Sequence, residues 1–469
     1  MALLELAPRT DGGSIKGPGC GSFDYGDRSP VSYIPRVTSA QNDAARDEAI
    51  ASAIDRATRL VPFYKSWAAG DLGGSVAPGA RLTALPVLSK RELRTRAHTE
   101  FVPVDRAVSA GISTGDVEIV TTSGTTEDRV SIVWHQPWWD LSERESYLLN
   151  ATTRAIRAGC PREAVLTTPL CAAAVCHVGD LPIEQRTLGR LLFLNQKTDP
   201  AYWTEADIVR MSEEINAFQP EVLEADPAYL AQFCHRAGSA GLRIFQPRHI
   251  FLTYEFPSRL HLRQIRRLFD VTPISSYGST ETGHVFTQCE HGLFHENTAT
   301  CHVNLQPLSR PAVVEGIGRI LVTTLRNDWF SLVRFDVADL ARLAATPCAC
   351  GRKAGLTVAS IEGRVRDLTF TTEGHVVTVN YLDRALGEAP GLLAYQIEQL
   401  TPTDYLMRFV AEPGMESRAS EFGVRALRRV YGAGAAIITQ RETAIVPEPS
   451  GKYCLSRTRF AWDPGSLFT

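Results

Sequence analysis

The chain of 469 residues lacks any run of 18 apolar residues, and no basic segment followed by an apolar one opens it. The expectation is a soluble, cytoplasmic protein with no membrane partner. Positive charge is not in excess: 49 Lys and Arg stand against 52 Asp and Glu, for a net charge of −3. That balance gives no electrostatic footprint for nucleic acid. Ten cysteines at this length fall short of a disulfide scaffold. The isolated Cys20, Cys160, Cys171, Cys234 and Cys454 read as small buried hydrophobes.

What is present is a strongly alternating pattern on a chain long enough for one large and one small domain. Residues 1–30, rich in Gly, Ser, Asp and Pro, read as a flexible arm. Helical spacing follows over 42–60, and Ser89 is a good N-cap for a helix starting at Lys90. Beyond that, 138–158, 205–218, 227–240 and 260–269 read as helices, and 164–168, 222–224, 249–254 and 273–277 as strands. The spacing predicts an α/β protein whose large domain, 31–366, holds mixed, largely parallel sheets covered by helices. Segments 316–323 and 331–343 add β-rich structure. The pattern resets after Arg366 and reads β-α-β-β-α-β, a small mobile α+β domain over 367–469.

Five segments carry chemistry. The first follows a β-branched run: Thr122, Ser123, Gly124, Thr125 and Thr126 form a hydroxyl-rich loop suited to wrapping phosphates. No Gly-Lys-Ser/Thr follows it, so it is not a Walker loop. The second is Ser276-Tyr277-Gly278-Ser279-Thr280-Glu281, after a predicted strand. The third runs from Arg334 to Asp339 and Leu340, the fourth is Gly363-Arg364-Val365-Arg366-Asp367, and the fifth is Ser450-Gly451-Lys452.

In this order and spacing the five segments resemble the signature of the adenylate-forming enzymes: acyl-CoA ligases, carrier-protein adenylation domains and luciferases. Within that superfamily the chain looks most like the phenylacetate-CoA ligase and coenzyme F390 synthetase branch. The resemblance implies that residues 122–126 bind the phosphates of ATP, with Tyr277 stacking on adenine. It assigns Thr280 to phosphate, Glu281 to Mg²⁺, Asp339 to the ribose hydroxyls and Arg364 to ribose or phosphate. It makes Arg366 and Asp367 the hinge on which the small domain swivels. Lys452 would neutralise charge between the α-phosphate and the attacking carboxylate. A carboxylate for Mg²⁺ and a flexible point charge for Lys452 are the residue types this chemistry needs. The chain departs from the pattern at Glu127, where the family has Gly, and at Arg366, where it has Asp. It also places Tyr254 in a segment, Thr253-Tyr254-Glu255, where the branch has Gly-Ala-Glu.

Cys289 and His295 in one segment, with Cys348 and Cys350 in another, can supply a tetrahedral S₃N set for a structural Zn²⁺. His291 is a substitute ligand, and some members of the resembled branch carry a comparable set. The expected function is ATP-dependent adenylation of a small aromatic carboxylic acid, with transfer to coenzyme A or a carrier protein. The acid pocket is drawn near Trp134–Trp139, Glu224, Tyr254–Phe256 and Ser275–Ser279, with Trp134, Tyr254 and Glu255 as its leading residues. An alternative hands the adenylate of a carboxylate, or of another small acid such as nitrite, directly to an amine. A second alternative is a nucleotide-binding homologue without turnover. The chain is expected to work as a monomer or homodimer.

Overall fold

The computed structural model describes residues 39–122, 129–156, 161–169 and 179–468. The arm at 1–30 and residues Ser123, Gly124, Thr125, Thr126 and Glu127 lie outside the described residues. Helix starts follow their caps. Ser89 Oγ accepts from Glu92 N while Glu92 Oε2 accepts from Ser89 N, and this reciprocal box opens Lys90–Thr95. Thr204 and Asp207 do the same for Glu205–Phe218, and Asp226 caps Pro227–Ser239. Each helix begins where the residue before it can satisfy the orphan amides. No helix among the described residues is long and apolar enough to cross a membrane.

A twelve-stranded mixed sheet runs through the large domain. Its parallel block is formed by Leu191–Phe193, Glu163–Leu166, Val222–Ala225, His249–Leu252 and Ile274–Ser279, in that spatial order. The parallel character ends at Ile274–Ser279. Gly283–Gln288 returns antiparallel, and Phe294–Glu296, Thr357–Arg364, Phe335–Leu343, Ile317–Thr324 and Cys301–Pro307 continue that way. Helices Glu205–Phe218 and Pro227–Ser239 cover one face of the parallel block, burying Met211, Ile215, Tyr229 and Phe233.

One helix is shorter than its periodicity predicts. The pattern over 138–158 becomes a helix only from Gln136 to Tyr147. Thr153 Oγ1 donates to Tyr147 O at 2.6 Å, and Asn150 Oδ1 takes the amide of Thr152 at 2.9 Å. Side chains that serve the terminal backbone groups compete with the next helical turn.

The second region has the expected β-α-β-β-α-β order with one change of partner. Val376–Val377 pairs with Thr369–Phe370 in a separate two-stranded ribbon. The four-stranded sheet is instead closed by Ser456–Thr458, parallel to Leu392–Gln399. This returns the chain's last strand to the small sheet and brings the Gly-Lys loop just ahead of it to the cleft. The small region docks on helix Arg259–Ile265: Asp383 takes the Arg259 amide at 3.0 Å and Gln264 donates to Leu393 O at 3.0 Å.

The outer helices position the site through a few buried polar ties. Tyr64, fully buried, donates to Ser331 O at 3.1 Å and accepts from Val333 N at 3.0 Å. Leu88 N donates to Arg334 O and Asp336 N to Leu88 O, so Lys90 is fastened to the strand that carries Asp339. Tyr64→Phe leaves a buried amide and carbonyl without this partner and should lower unfolding stability by about 1–2 kcal/mol, read by urea denaturation. An unchanged midpoint would show that the tie contributes nothing.

Candidate active site

Asp339 sits at the centre of a cleft between the two regions. Its Oδ2 accepts the Tyr277 hydroxyl at 2.8 Å, and it lies opposite Arg364 in the strand register. Burial raises the Asp339 pKa, while Arg364, the Tyr277 hydroxyl, Lys90 and Lys452 all favour its charge. Three cations thus converge from positions 90, 364 and 452. Glu281 is 5% exposed, and its Oε1 accepts no hydrogen bond among the described residues. Its nearest cation is Lys90 Nζ at 3.5 Å. A buried carboxylate oxygen that faces a lysine and takes no hydrogen bond among the described residues can serve a Mg²⁺·phosphate ligand, so Glu281 fits that ion. The turn before it depends on Gly278, where a Cβ would lie 2.2 Å from Gly283 O. Thr280 and Ser279 lie on this turn, and Ser279 Oγ is 2.9 Å from Thr282 Oγ1. Thr122, at the edge of the hydroxyl-rich loop, is held by Val130: its Oγ1 accepts the Val130 amide at 3.0 Å.

The Gly-Lys loop docks into this cleft. Tyr453 N donates to Glu255 Oε1 at 2.6 Å, Gln232 Nε2 donates to Tyr453 Oη at 3.0 Å, and Tyr229 Oη donates to Gly451 O at 3.3 Å. Gly451 has φ +81°, and a Cβ there would meet Thr168 Oγ1 at 2.5 Å. Only glycine fits. Lys452 thereby lies among acids: burial and Arg364 lower its pKa, and Glu255, Asp226 and Asp339 oppose the shift. Burial raises Asp226 to about 7, opposed by the amides of Ala228 and Tyr229 and by Lys452. Glu255, drawn from the sequence as a pocket residue, is placed by the structure at the docking contact of the Lys452 loop. Tyr254 beside it has a left-handed φ of 65°, a strained conformation for a β-carbon residue.

Sequence reasoning missed Asp226 and Lys90. Lys90 was read only as the start of the helix that Ser89 caps, and Asp226 stands just ahead of a predicted helix and drew no reading. The pair expected from the sequence to form a hinge behaves differently from the cleft: Arg366 is exposed and donates to Glu448 Oε2 at 2.8 Å, and Asp367 O accepts Ser456 Oγ at 2.6 Å.

Beneath the cleft lies a second group of acids. Glu163 pairs in register with Val222 and Val165 with Glu224, so both glutamates share one face of the sheet. Helix Gln136–Tyr147 covers that face and contributes Glu143 and Tyr147, with Tyr147 against Phe251 at 5.2 Å. Trp134, predicted to line the pocket, packs on Trp139 at 4.4 Å, and Trp139 packs on His284 at 5.1 Å. Burial, then Glu224 and Asp140, push Glu143 up to about 7, and Glu163 is raised well above the carboxylate range by burial and Glu224.

The four predicted metal ligands come together. The ligand atoms of Cys289, His295, Cys348 and Cys350 all lie within 4.8 Å of one another. Cys289 Sγ is 3.5 Å from Cys348 Sγ, and Cys350 Sγ is 3.2 Å from His295 Nε2. Donor–donor edges of a tetrahedral S₃N zinc site are about 3.6–3.8 Å, so the set fits. His295 Nδ1 faces Thr357 Oγ1 at 3.3 Å, which fixes the ring. The substitute His291 is exposed, and only its amide faces Cys289 Sγ.

No protein-family model matches this sequence. No curated protein matches it either. Solved structures do. A 2-hydroxyisobutyryl-CoA ligase in its postadenylation state, in complex with R3-HIB-AMP, superposes with a TM-score of 0.64 at 15% identity, covering 91% of this chain and 93% of that one. The fold is that of the adenylate-forming acyl-CoA ligases. The same ligase in its thioesterification state, with 2-HIB-AMP and CoA, gives 0.52 at 15% identity over 90% and 91% of the two chains. An anthranilate CoA ligase, AuaEII, in complex with anthranoyl-AMP gives 0.50 at 12% identity over 72% and 66%.

The raised Glu143 pKa has a consequence for stability. A carboxyl whose folded pKa is about 7 and whose unfolded pKa is near 4.3 binds more protons in the folded state between these values. Stability therefore falls as pH rises from about 4.5 to about 7. Glu143→Gln should flatten this slope and raise the Tm above pH 7. Parallel Tm–pH curves for both proteins would show that Glu143 ionises normally.

Proposed function

We propose that this protein is an AMP-forming ligase that adenylates a small aromatic carboxylic acid and passes the acyl group to a thiol, either coenzyme A or a carrier-protein arm. The observation that carries the reading is the position of Lys452. A lysine from the last strand's approach loop is held against Asp226, Glu255 and Asp339, together with Arg364, at the ends of the parallel strands. Ligands of open α/β sheets bind at such strand ends. We assign the nucleotide to the Thr122–Thr126 loop, Tyr277, Asp339 and Arg364, and phosphate to Thr280 as well.

In this reading a carboxylate oxygen attacks the α-phosphorus of ATP. The new O–P bond forms as the bond to the pyrophosphate oxygen breaks, and pyrophosphate leaves with its electron pair. The acid enters already ionised, so no general base is needed. Lys452 Nζ gathers the negative charge that develops between the carboxylate and the phosphate, and Arg364 adds a second cation. Glu281 would hold Mg²⁺, which would shield the phosphate charge when bound. Rotation about Arg366–Asp367 would then withdraw Lys452 and open the adenylate to the acceptor; domain limits of 31–366 and 367–469 follow from that assignment. The rings of Trp134, Trp139, Tyr147 and Phe251 support an aromatic acid, and the motifs resemble those of the phenylacetate-CoA ligase branch. Retention of Glu281, Asp339 and Lys452 in one cleft speaks against a homologue without turnover.

Acid-dependent exchange of pyrophosphate into ATP tests this directly. Lys452→Ala should lower exchange by about 100- to 1,000-fold while ATP binding persists. ADP in place of AMP as product, or exchange untouched by the substitution, would sink the proposal. Addition of coenzyme A, of a phosphopantetheine-bearing carrier or of an amine identifies the acceptor by which one accelerates AMP release.

Cys289, His295, Cys348 and Cys350 are assigned to a structural Zn²⁺ with no open position. Purified protein should hold about one zinc per chain by elemental analysis, and Cys348→Ser should lose it with a drop in Tm. Full Tm after exhaustive chelation would refute the assignment.

A further inference from the structure

After strand Ser456–Thr458 the chain leaves the small sheet and returns to the large one. Asp463 caps a short 3-10 turn, Pro464–Leu467, by accepting the Gly465 amide at 2.9 Å. Three consecutive carbonyls are then taken by strand Cys301–Pro307 and the residues just after it. Ser309 Oγ donates to Ser466 O at 3.1 Å, Ser309 N to Leu467 O at 2.8 Å, and Gln306 Nε2 to Phe468 O at 3.2 Å. The Arg319 guanidinium lies 4.4 Å from the centre of the Phe468 ring, a cation–π contact. Leu467 is 0% exposed. It shares one apolar cluster with Ile317 and Leu340 of the large sheet, Val365 and Leu368 of the expected hinge, and Phe370 and Val376 of the two-stranded ribbon. Trp462 meets the Phe370 ring edge-on at 5.1 Å.

Only one short strand separates this segment from the Gly-Lys loop, and that strand also holds the expected hinge. Ser456 Oγ donates to Asp367 O at 2.6 Å, and Thr458 Oγ1 donates to Leu368 O at 2.7 Å. Groups that precede the hinge therefore pin the strand from both sides: Glu255 takes the Tyr453 amide ahead of it, and the seat of Leu467 lies behind it. A rotation that carries 367–469 away from the large sheet must draw Leu467 out of its cluster and into water, which apolar surface resists. The polar ties are easier to release. Ser309 is exposed and Gln306 half-buried, so water can replace their bonds. A single 3-10 turn has little structure of its own to lose, and such a segment can open locally while both sheets stay folded.

We propose that residues 460–468 form a strap across the hinge that latches Lys452 in the cleft, and that withdrawal of Leu467 from its seat is the event that permits rotation about Arg366–Asp367. What the released state does rests on the adenylation reading; the latch itself stands on the contacts of the strap. Seating contributes to the docked arrangement by as much as its contacts differ between the two states, so weakening the seat shifts the population toward an undocked Lys452.

Hydrogen exchange on the full chain tests the latch without reference to activity. The amides of Glu448, Gly451 and Tyr453 are hydrogen-bonded while the loop is docked, and a peptide over 446–456 reports them. Leu467→Ala should speed their exchange at least tenfold, and a peptide from helix Glu205–Phe218 should not change. Gln306→Ala and Phe468→Ala, placed on the two sides of the seat, should each speed the same loop amides at least twofold, and they carry the test if Leu467→Ala fails to fold. Exchange of pyrophosphate into ATP with phenylacetate or benzoate should fall at least fivefold in Leu467→Ala. Loop amides unmoved in the variants, or acceleration spread equally to Glu205–Phe218, would overturn the strap. If the loop amides respond while the parent protein exchanges pyrophosphate with no acid of an aromatic panel, the strap stands and the adenylation reading falls.

Discussion

The cleft depends on a balance of charges held out of bulk water. Asp226, Glu255, Glu281 and Asp339 occupy one side, and Lys90, Arg364 and Lys452 answer them. Neither set is stable alone in a half-dry site, because each unpaired charge loses hydration without compensation. Docking the Gly-Lys loop is therefore part of what holds the two regions together. The Tyr453 amide on Glu255 and the Tyr229 hydroxyl on Gly451 fix the loop, and the lysine supplies the charge. Removal of that loop would leave Glu255 and Asp226 facing each other, which favours an incoming counter-ion or proton.

The antiparallel half of the large sheet serves this balance from a distance. Arg364 ends the strand Thr357–Arg364, and Asp339 lies opposite it on Phe335–Leu343. The start of the same strand pairs with Phe294–Glu296, where His295 sits. The Cys289, His295, Cys348 and Cys350 group thus ties down the end of the strand opposite the cleft. Glu296 strengthens the same corner: fully buried, it accepts from Arg46 at 2.8 Å and from the Leu356 amide. Both carboxylate oxygens of Glu296 are partnered, which rigidifies its strand.

The parallel half has a different task. Its strand ends at Ala225, Leu252 and Ser279 open toward the cleft, and one face beneath them carries acids under an aromatic helix. Covering carboxylates with Tyr147 and Phe251 lowers the local dielectric and disfavours their charged forms.

The sequence by itself determined the local events. Caps at Ser89, Thr204 and Asp226 started their helices where expected, because capping needs only residues within a few positions. The alternation of strand and helix gave the α/β class. Residues of the second to fifth motifs converge around Asp339, and the four metal-ligand candidates proved to be neighbours. Tertiary structure decided what separate segments do to one another. The strand 376–377 lost its place in the small sheet to 456–458, since pairing between distant segments follows packing rather than periodicity. Lys90 joined Glu281 across 191 positions of chain, and Glu255 turned to the Tyr453 amide; no local pattern encodes either contact. Glu143 and Glu163 drew no reading from the sequence, and Glu224 was drawn only as part of the acid pocket. Their character comes wholly from sharing one enclosed face, where burial and mutual repulsion change what a carboxylate is.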